Sequence, residues 1–124
     1  MTAPGIGIDL VEIARLERAL TRRPRLARRL FTDAELAHAS ARRRPGRHLA
    51  ARFAAKEAAL KALGGGVTAR QIEVESGDRE APRLRLHGRA AALARQRDVE
   101  LHVSLTHSDH LAAAVVVAQR AAGG

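Results

Sequence analysis

An α+β fold, with an antiparallel sheet packed with a long central helix, is what this sequence predicts, and three observations predict it. RFAAKEAALKALGGG, residues 52–66, is rich in strong helix formers and ends in a glycine run able to cap the last turn. Residues 71–75 and 83–87 alternate in strand fashion around the turn-forming Ser76-Gly77-Asp78 and read as a hairpin. Two further strands, residues 100–106 and 111–118, are joined by the polar turn of residues 107–110.

The remaining elements follow in order. GIGID, residues 5–9, reads as a short strand, followed by a helix over about 10–21 that stops at Arg23-Pro24, because the residue before proline avoids helical backbone. A second helical piece covers residues 25–30. Thr32-Asp33-Ala34-Glu35 is a capping-box pattern opening a helix to about residue 41, and RRRPG, residues 42–46, is a loop before the long helix. A helix over 88–97 separates the two hairpins. No repeat or linker divides the chain, so residues 1–124 are expected to form one domain.

Composition bounds the function. A chain of 124 residues can bury roughly two-thirds of its unfolded surface, yet with two Phe and no Trp or Tyr its core must be thin and rich in small side chains. Association between copies is one remedy. Lys plus Arg number 22 against 13 Asp plus Glu, a net charge of +9, which favours acidic partners. Cys is absent, so neither a disulfide framework nor a thiolate metal site is possible, and the cytoplasm is the expected compartment. Four residues before the first strand are too few for a signal peptide, and no apolar run approaches the roughly 20 residues of a membrane span. No membrane association is expected.

Asp9 and Glu57 are the first candidates for chemistry. Alternation places Ile6 and Ile8 on one strand face and Gly5, Gly7 and Asp9 on the other, where a ligand could approach the two glycines closely. Asp9 is also expected to cap the following helix, with Glu12 completing an Asp-x-x-Glu box. In the long helix, Leu49, Phe53, Leu60 and Leu63 recur at helical spacing, and Glu57 stands between Phe53 and Leu60 on that stripe. Glu57 and Lys61 are in the order of a helix surface pair, but an inward carboxylate must be paired or bound to a cation. Two carboxylates are the hard ligands Mg²⁺ accepts, with waters and phosphate oxygens completing its shell.

Further residues point the same way. Lys occurs only at Lys56 and Lys61, flanking Glu57 in a chain whose other basic residues are Arg, which suits a compact ammonium near phosphate. His107 continues the face of Val103 and Leu105 and can bind phosphate or carry a proton. Arg15, Arg18, Arg22, Arg25 and Arg29 recur at three- and four-residue spacing, a basic band suited to an acidic helix or a nucleic-acid backbone.

Three motifs, GIGIDLVEIARLERAL, LAARFAAKEAALKALGGG and LHVSLTHSDHLAAAVVVA, together resemble the holo-[acyl-carrier-protein] synthases, small 4'-phosphopantetheinyl transferases, over about residues 5–119. The resemblance implies the 4'-phosphopantetheinyl transferase fold and Mg²⁺-dependent transfer of 4'-phosphopantetheine from coenzyme A to a serine of apo acyl carrier protein, releasing adenosine 3',5'-bisphosphate. It implies Asp9 and Glu57 as metal ligands and Lys61 as a phosphate ligand that stabilises the leaving charge, the three forming the catalytic set. Arg52, Thr106 and His107 match positions contacting coenzyme A, and Arg15, Arg22, Arg25, Leu26 and Arg29 positions docking the acidic carrier. The family is typically trimeric, with coenzyme A in clefts between subunits, which implies a homotrimer here. The serine proton would pass to Glu57 or to a metal-bound water.

Two other classes are weighed. A nucleic-acid-binding protein would ordinarily carry aromatics for base stacking, and only Phe31 and Phe53 exist here. A docking module without catalysis needs the arginines but neither Asp9 nor Glu57. The inward carboxylate favours the enzyme, and no nucleic-acid partner is expected.

Overall fold

A computed structural model describes residues 5–76 and 81–121. Its elements run β1 (Gly5–Glu12), α1 (Ile13–Arg22), α2 (Leu26–Leu30), α3 (Asp33–Ser40), α4 (Pro45–Leu63), a 3-10 turn (Ala69–Gln71), β2 (Ile72–Glu75), β3 (Arg83–Leu86), α5 (Gly88–Arg97), β4 (Val99–His107) and β5 (Leu111–Arg120). The α+β expectation holds, and the strands form two antiparallel sheets, β1-β5-β4 and β2-β3. The turn expected around Gly77-Asp78 lies outside the described residues.

Helix α4 is the axis of the fold. Pro45 starts it with a pre-set φ, and Gly64, left-handed at φ 89°, ends it by donating its N–H to the carbonyls of Leu60 and Lys61. Between these ends run two rows of alanine, Ala50-54-58-62 and Ala51-55-59, every one buried. The helix is therefore enclosed on most of its circumference, and its most open flank carries Phe53, Glu57 and Lys61. The stripe read from the sequence is corrected here: Leu49 and Leu63 are core, whereas Glu57 is half-buried at the edge of that open flank.

Register explains how the sheet meets α4. Gly5–Ala118–Leu101, Gly7–Val116–Val103, Asp9–Ala114–Leu105 and Val11–Ala112–His107 form successive rows on the helix-facing side. A Cβ on Gly7 would lie 1.9 Å from the Ala58 carbonyl oxygen, and one on Gly5 2.3 Å from that of Ala62. The space beside these glycines thus belongs to the α4 backbone, not to a ligand as the alternation alone suggested. The opposite sheet face carries Ile6, Ile8 and Leu10, which are 69%, 69% and 63% exposed.

Strand β1 runs three residues longer than expected, because its pairing with β5 continues to Glu12 opposite Leu111. Asp9 therefore sits mid-strand and caps nothing. Glu12 occupies the N-cap of α1 without a side-chain cap bond, and the Ile13 N–H is satisfied by the His110 carbonyl at 2.9 Å.

The Thr32–Glu35 capping box forms, with Thr32 Oγ1 accepting from the Glu35 N–H and Glu35 Oε1 accepting from the Thr32 N–H. Glu35 does more than cap. It is fully buried, accepts from the Val74 N–H at 2.8 Å and faces Lys56 Nζ at 2.7 Å. Lys56 also donates to the carbonyls of Ala69 and Ile72, so one ammonium ties α3, α4, the 3-10 turn and β2 together. Lys56 is structural and points away from Glu57, contrary to the phosphate role its position in the sequence suggested. Burial lowers its pKa, and Glu35 opposes that shift.

Gly7→Ala is expected to destabilise the fold by about 3 kcal/mol, near the upper end of overpacking costs, lowering Tm by roughly 10 °C for a domain of this size. Thermal unfolding followed by circular dichroism measures this, and an unchanged Tm would contradict the close β1–α4 contact.

Candidate functional site

The site grows from the β1–α4 contact. Because Gly5 and Gly7 let the strand lie against the helix backbone, the next helix-facing residue of β1, Asp9, comes beside Glu57 and Lys61. Lys61 Nζ lies 3.4 Å from Asp9 Oδ1 and donates to the Ile8 carbonyl at 3.0 Å. The lysine thus reaches across to β1 instead of pairing along the helix with Glu57.

Electrostatics mark Glu57. Its pKa is raised, first by burial and then by the neighbouring Asp9 carboxylate, with Lys61 opposing the shift. Two adjacent carboxylates, the pKa of one raised by the other, offer hard oxygen ligands for a cation. Among the described residues no group of three or more His, Cys, Asp or Glu side chains could hold a metal ion. The donor set fits Mg²⁺, which takes one or two protein carboxylates and completes its shell with water and substrate phosphate.

Asp9 and Glu57 open into a groove of about 690 Å³. Leu16, Ala19, Leu26, Leu30 and Phe53 give it an apolar wall, and Arg15 stands at its rim. Arg15, Arg22, Arg25 and Arg29 are all exposed, and Leu26 is half-buried among them. The acid pair and the basic helices therefore face one groove.

The residues expected to touch coenzyme A are more dispersed. Arg52 is 5 residues from Glu57 on α4, roughly 140° around the helix, and is buried on another side, where Nη2 donates to Ser76 Oγ at 2.9 Å. Its Nε is buried without a hydrogen-bond partner among the described residues. His107 ends β4 on the helix-facing side, one row beyond Asp9 and two strands across, while Thr106 faces the opposite side with Leu10. A single chain does not bring Arg52, Thr106 or His107 to the acid pair. Asp109 turns to Arg44 and Arg47, at 3.8 and 3.9 Å, and joins the β4–β5 turn to the start of α4.

His48 was not singled out from the sequence. It lies four residues before Arg52, which would place both on one helix face, and Arg52 Nη1 reaches its carbonyl at 3.5 Å. Its pKa is lowered, first by burial and then by Arg52, Arg42, His107 and His38. That spacing was the available signal, hidden because His48 belongs to no recognisable motif.

Residues 5–116 match the family model described as the 4'-phosphopantetheinyl transferase superfamily. The chain belongs to this superfamily. It is 51% identical over 117 residues to the holo-[acyl-carrier-protein] synthase of Moorella thermoacetica, covering 91% of each chain. Among solved structures, the Chronobacterium ammoniagenes ACPS–CoA complex superimposes with a TM-score of 0.85 at 32% identity, over 96% of this chain and 98% of that one. A holo-(acyl-carrier-protein) synthase from Bacillus anthracis in complex with CoA (3',5'-ADP) gives 0.79 at 34% identity, over 96% and 100%. The transferase fold expected from the three motifs is the fold of this 4'-phosphopantetheinyl transferase superfamily member. No described helix is long and apolar enough to cross a membrane.

The coupling of the acid pair is measurable. Because Asp9 contributes to the raised pKa of Glu57, Asp9→Asn should move the Glu57 titration toward lower pH, read from its side-chain carboxyl resonance by NMR. A raised folded-state pKa stabilises only the protonated form: the contribution is complete below the unfolded value and lost as pH rises through the folded one. An ionised Glu57 is a cost to stability at neutral pH. An unmoved titration in Asp9→Asn would show that the two carboxylates do not interact.

Proposed function

We infer that this chain has holo-[acyl-carrier-protein] synthase activity, transferring 4'-phosphopantetheine from coenzyme A to a serine of apo acyl carrier protein and releasing adenosine 3',5'-bisphosphate. The observation that carries this reading is one groove with Asp9 and Glu57 in it and Arg15 and Leu26 on its edge. A phosphate-processing centre and a docking surface for an acidic protein thus adjoin, as a reaction between a nucleotide and an acidic carrier needs. The unit that acts is one domain over residues 1–124, in the cytoplasm, as suits a cysteine-free sequence.

We assign Asp9 and Glu57 to Mg²⁺, which when bound would neutralise the pyrophosphate of coenzyme A and favour departure of the leaving group. The serine oxygen forms a bond to the phosphorus that carries pantetheine, and the bond from that phosphorus to the bridging oxygen of the adenosine 5'-phosphate breaks. Lys61, held at Asp9 by its bond to the Ile8 carbonyl, supplies positive charge where the leaving phosphate gains negative charge. The serine proton leaves to Glu57 or to a water held beside the acid pair. Arg15, Arg22, Arg25 and Arg29 meet carrier carboxylates, and Leu26 supplies an apolar contact between them.

We further propose a homotrimer that covers the outer sheet face. Ile6, Ile8 and Leu10 lie in register with Val117, Val115 and Ala113, a continuous apolar face that water would otherwise meet. Thr106 shares this face. Arg52, Thr106 and His107 then hold coenzyme A in clefts completed by an adjacent copy, which accounts for their separation from the acid pair within one chain.

Intact mass of apo acyl carrier protein incubated with coenzyme A and this protein should rise by one phosphopantetheine, only with Mg²⁺ present. Asp9→Asn and Glu57→Gln should each reduce the rate at least about 100-fold while keeping the circular dichroism of the parent. Normal turnover by both variants would remove the metal assignment. Ile8→Arg should convert the trimer to monomer in sedimentation, and an unchanged mass would remove the sheet face from the interface.

A further inference from the structure

Helix α2 carries Leu26 and Arg29 and begins at Arg25, yet nothing inside it fixes where it points. It is five residues long, none of them fully buried, and its N-cap makes no side-chain bond. A helix this short does not hold itself in water. Leu26 and Leu30 nevertheless wall the groove that contains Asp9 and Glu57, so the direction of α2 decides where a docked partner meets the acid pair.

The last turn of α2 supplies the hold. The Phe31 N–H donates to the Ala27 carbonyl at 2.9 Å, but the Thr32 N–H, which would close the next helical bond onto the Arg28 carbonyl, donates to Glu35 Oε1 in the α3 capping box. Arg70 takes that place. Its Nη1 donates to the Arg28 carbonyl at 2.7 Å, and its Nη2 reaches Asp33 Oδ1 at 3.5 Å. The second contact is weak, since the Asp33 side chain is 90% exposed. The charge-assisted bond to the carbonyl is the one that holds α2.

Arg70 is itself firmly based. It lies in the 3-10 turn, where the carbonyls of Ala69 and Ile72 on either side of it accept from Lys56 Nζ at 3.0 and 2.6 Å. Lys56 is fully buried on α4, and the next residue is Glu57. A continuous strut thus runs from α4 through the 3-10 turn and Arg70 to α2. We propose that Arg70 is a positioning residue for the acidic carrier: by holding the Arg28 carbonyl it sets Arg25, Leu26 and Arg29 at the distance from Glu57 that a docked carrier serine requires. This rests on the reading that α2 receives the carrier, and Arg70 acts through α2.

Steady-state kinetics with apo acyl carrier protein and coenzyme A test this in the parent and in Arg70→Met, which keeps a long side chain without donors. The Arg70 side chain is 45% exposed, so the variant should keep the circular dichroism of the parent. Arg70→Met should raise the KM for the carrier about tenfold, with kcat and the KM for coenzyme A unchanged. A merely structural arginine would lower the active fraction, and with it kcat, without moving either KM. Arg70→Lys, which keeps one cationic donor, should recover most of the loss. Leu26→Ala separates placement of α2 from simple loss of charge: in the double variant with Arg70→Met the two losses should not add, because Arg70 acts by placing Leu26. An unchanged carrier KM in Arg70→Met, or losses that add in full, would overturn the role of Arg70 while leaving the transfer reaction standing. A parent that gives no carrier mass gain would overturn both readings.

Discussion

The close approach of a glycine-bearing strand to a helix backbone is the constraint on which the rest of this molecule depends. Gly5 and Gly7 lie against the carbonyls of Ala62 and Ala58, where any side chain would collide with main-chain atoms. Contact of this kind leaves little freedom to slide or rotate, because the surfaces that meet are backbone and methyl groups. It also sets the distance between Asp9 on one element and Glu57 and Lys61 on the other. The acid pair is a consequence of packing before it is a matter of chemistry.

Helix α4 serves several neighbours at once, and its residues divide the work by direction. The alanine rows meet the sheet and the small-residue core, Lys56 points to the buried Glu35, Glu57 faces the groove, Lys61 reaches to Asp9 and the Ile8 carbonyl, and Arg52 points to Ser76. The buried Lys56–Glu35 pair is acceptable because its other polar groups are satisfied: the ammonium by two carbonyls, the carboxylate by the Thr32 and Val74 N–H groups. Removing either partner would leave a charge stranded in the interior. The pair joins elements that share no sheet, since β2 and β3 are not hydrogen-bonded to the three-stranded sheet.

Much of this was legible in the sequence, for physical reasons. Periodicity and cap chemistry are local, so the long helix, the two hairpins and the Thr32–Glu35 box could be read from neighbours in the chain. What could not be read was long-range. The extension of β1 to Glu12 depends on pairing with β5 about a hundred residues away, and it moved Asp9 from a helix cap to mid-strand. Lys56 and Lys61 look alike in sequence, but one turns to the interior and the other to Asp9, a distinction set by Glu35 and β2. Asp9 and Glu57 were found because a carboxylate among apolar neighbours is conspicuous; His48 was not, because its significance lies in residues of other elements.

The alanine-lined interior has a consequence for how this protein can change over generations. Alanine has no side-chain rotamers to freeze, so its burial adds rigidity at almost no cost in side-chain entropy. Yet alanine stands one carbon above glycine, and along α4 neither direction of substitution is open: a larger residue pushes the sheet away, and a glycine loosens the helix. A core of large side chains can drift by exchanging volume between neighbours, but buried methyl groups set against main chain have no volume to exchange. Mutational freedom in such a chain is confined to its outer surface, where exposed arginines can be gained, lost and moved.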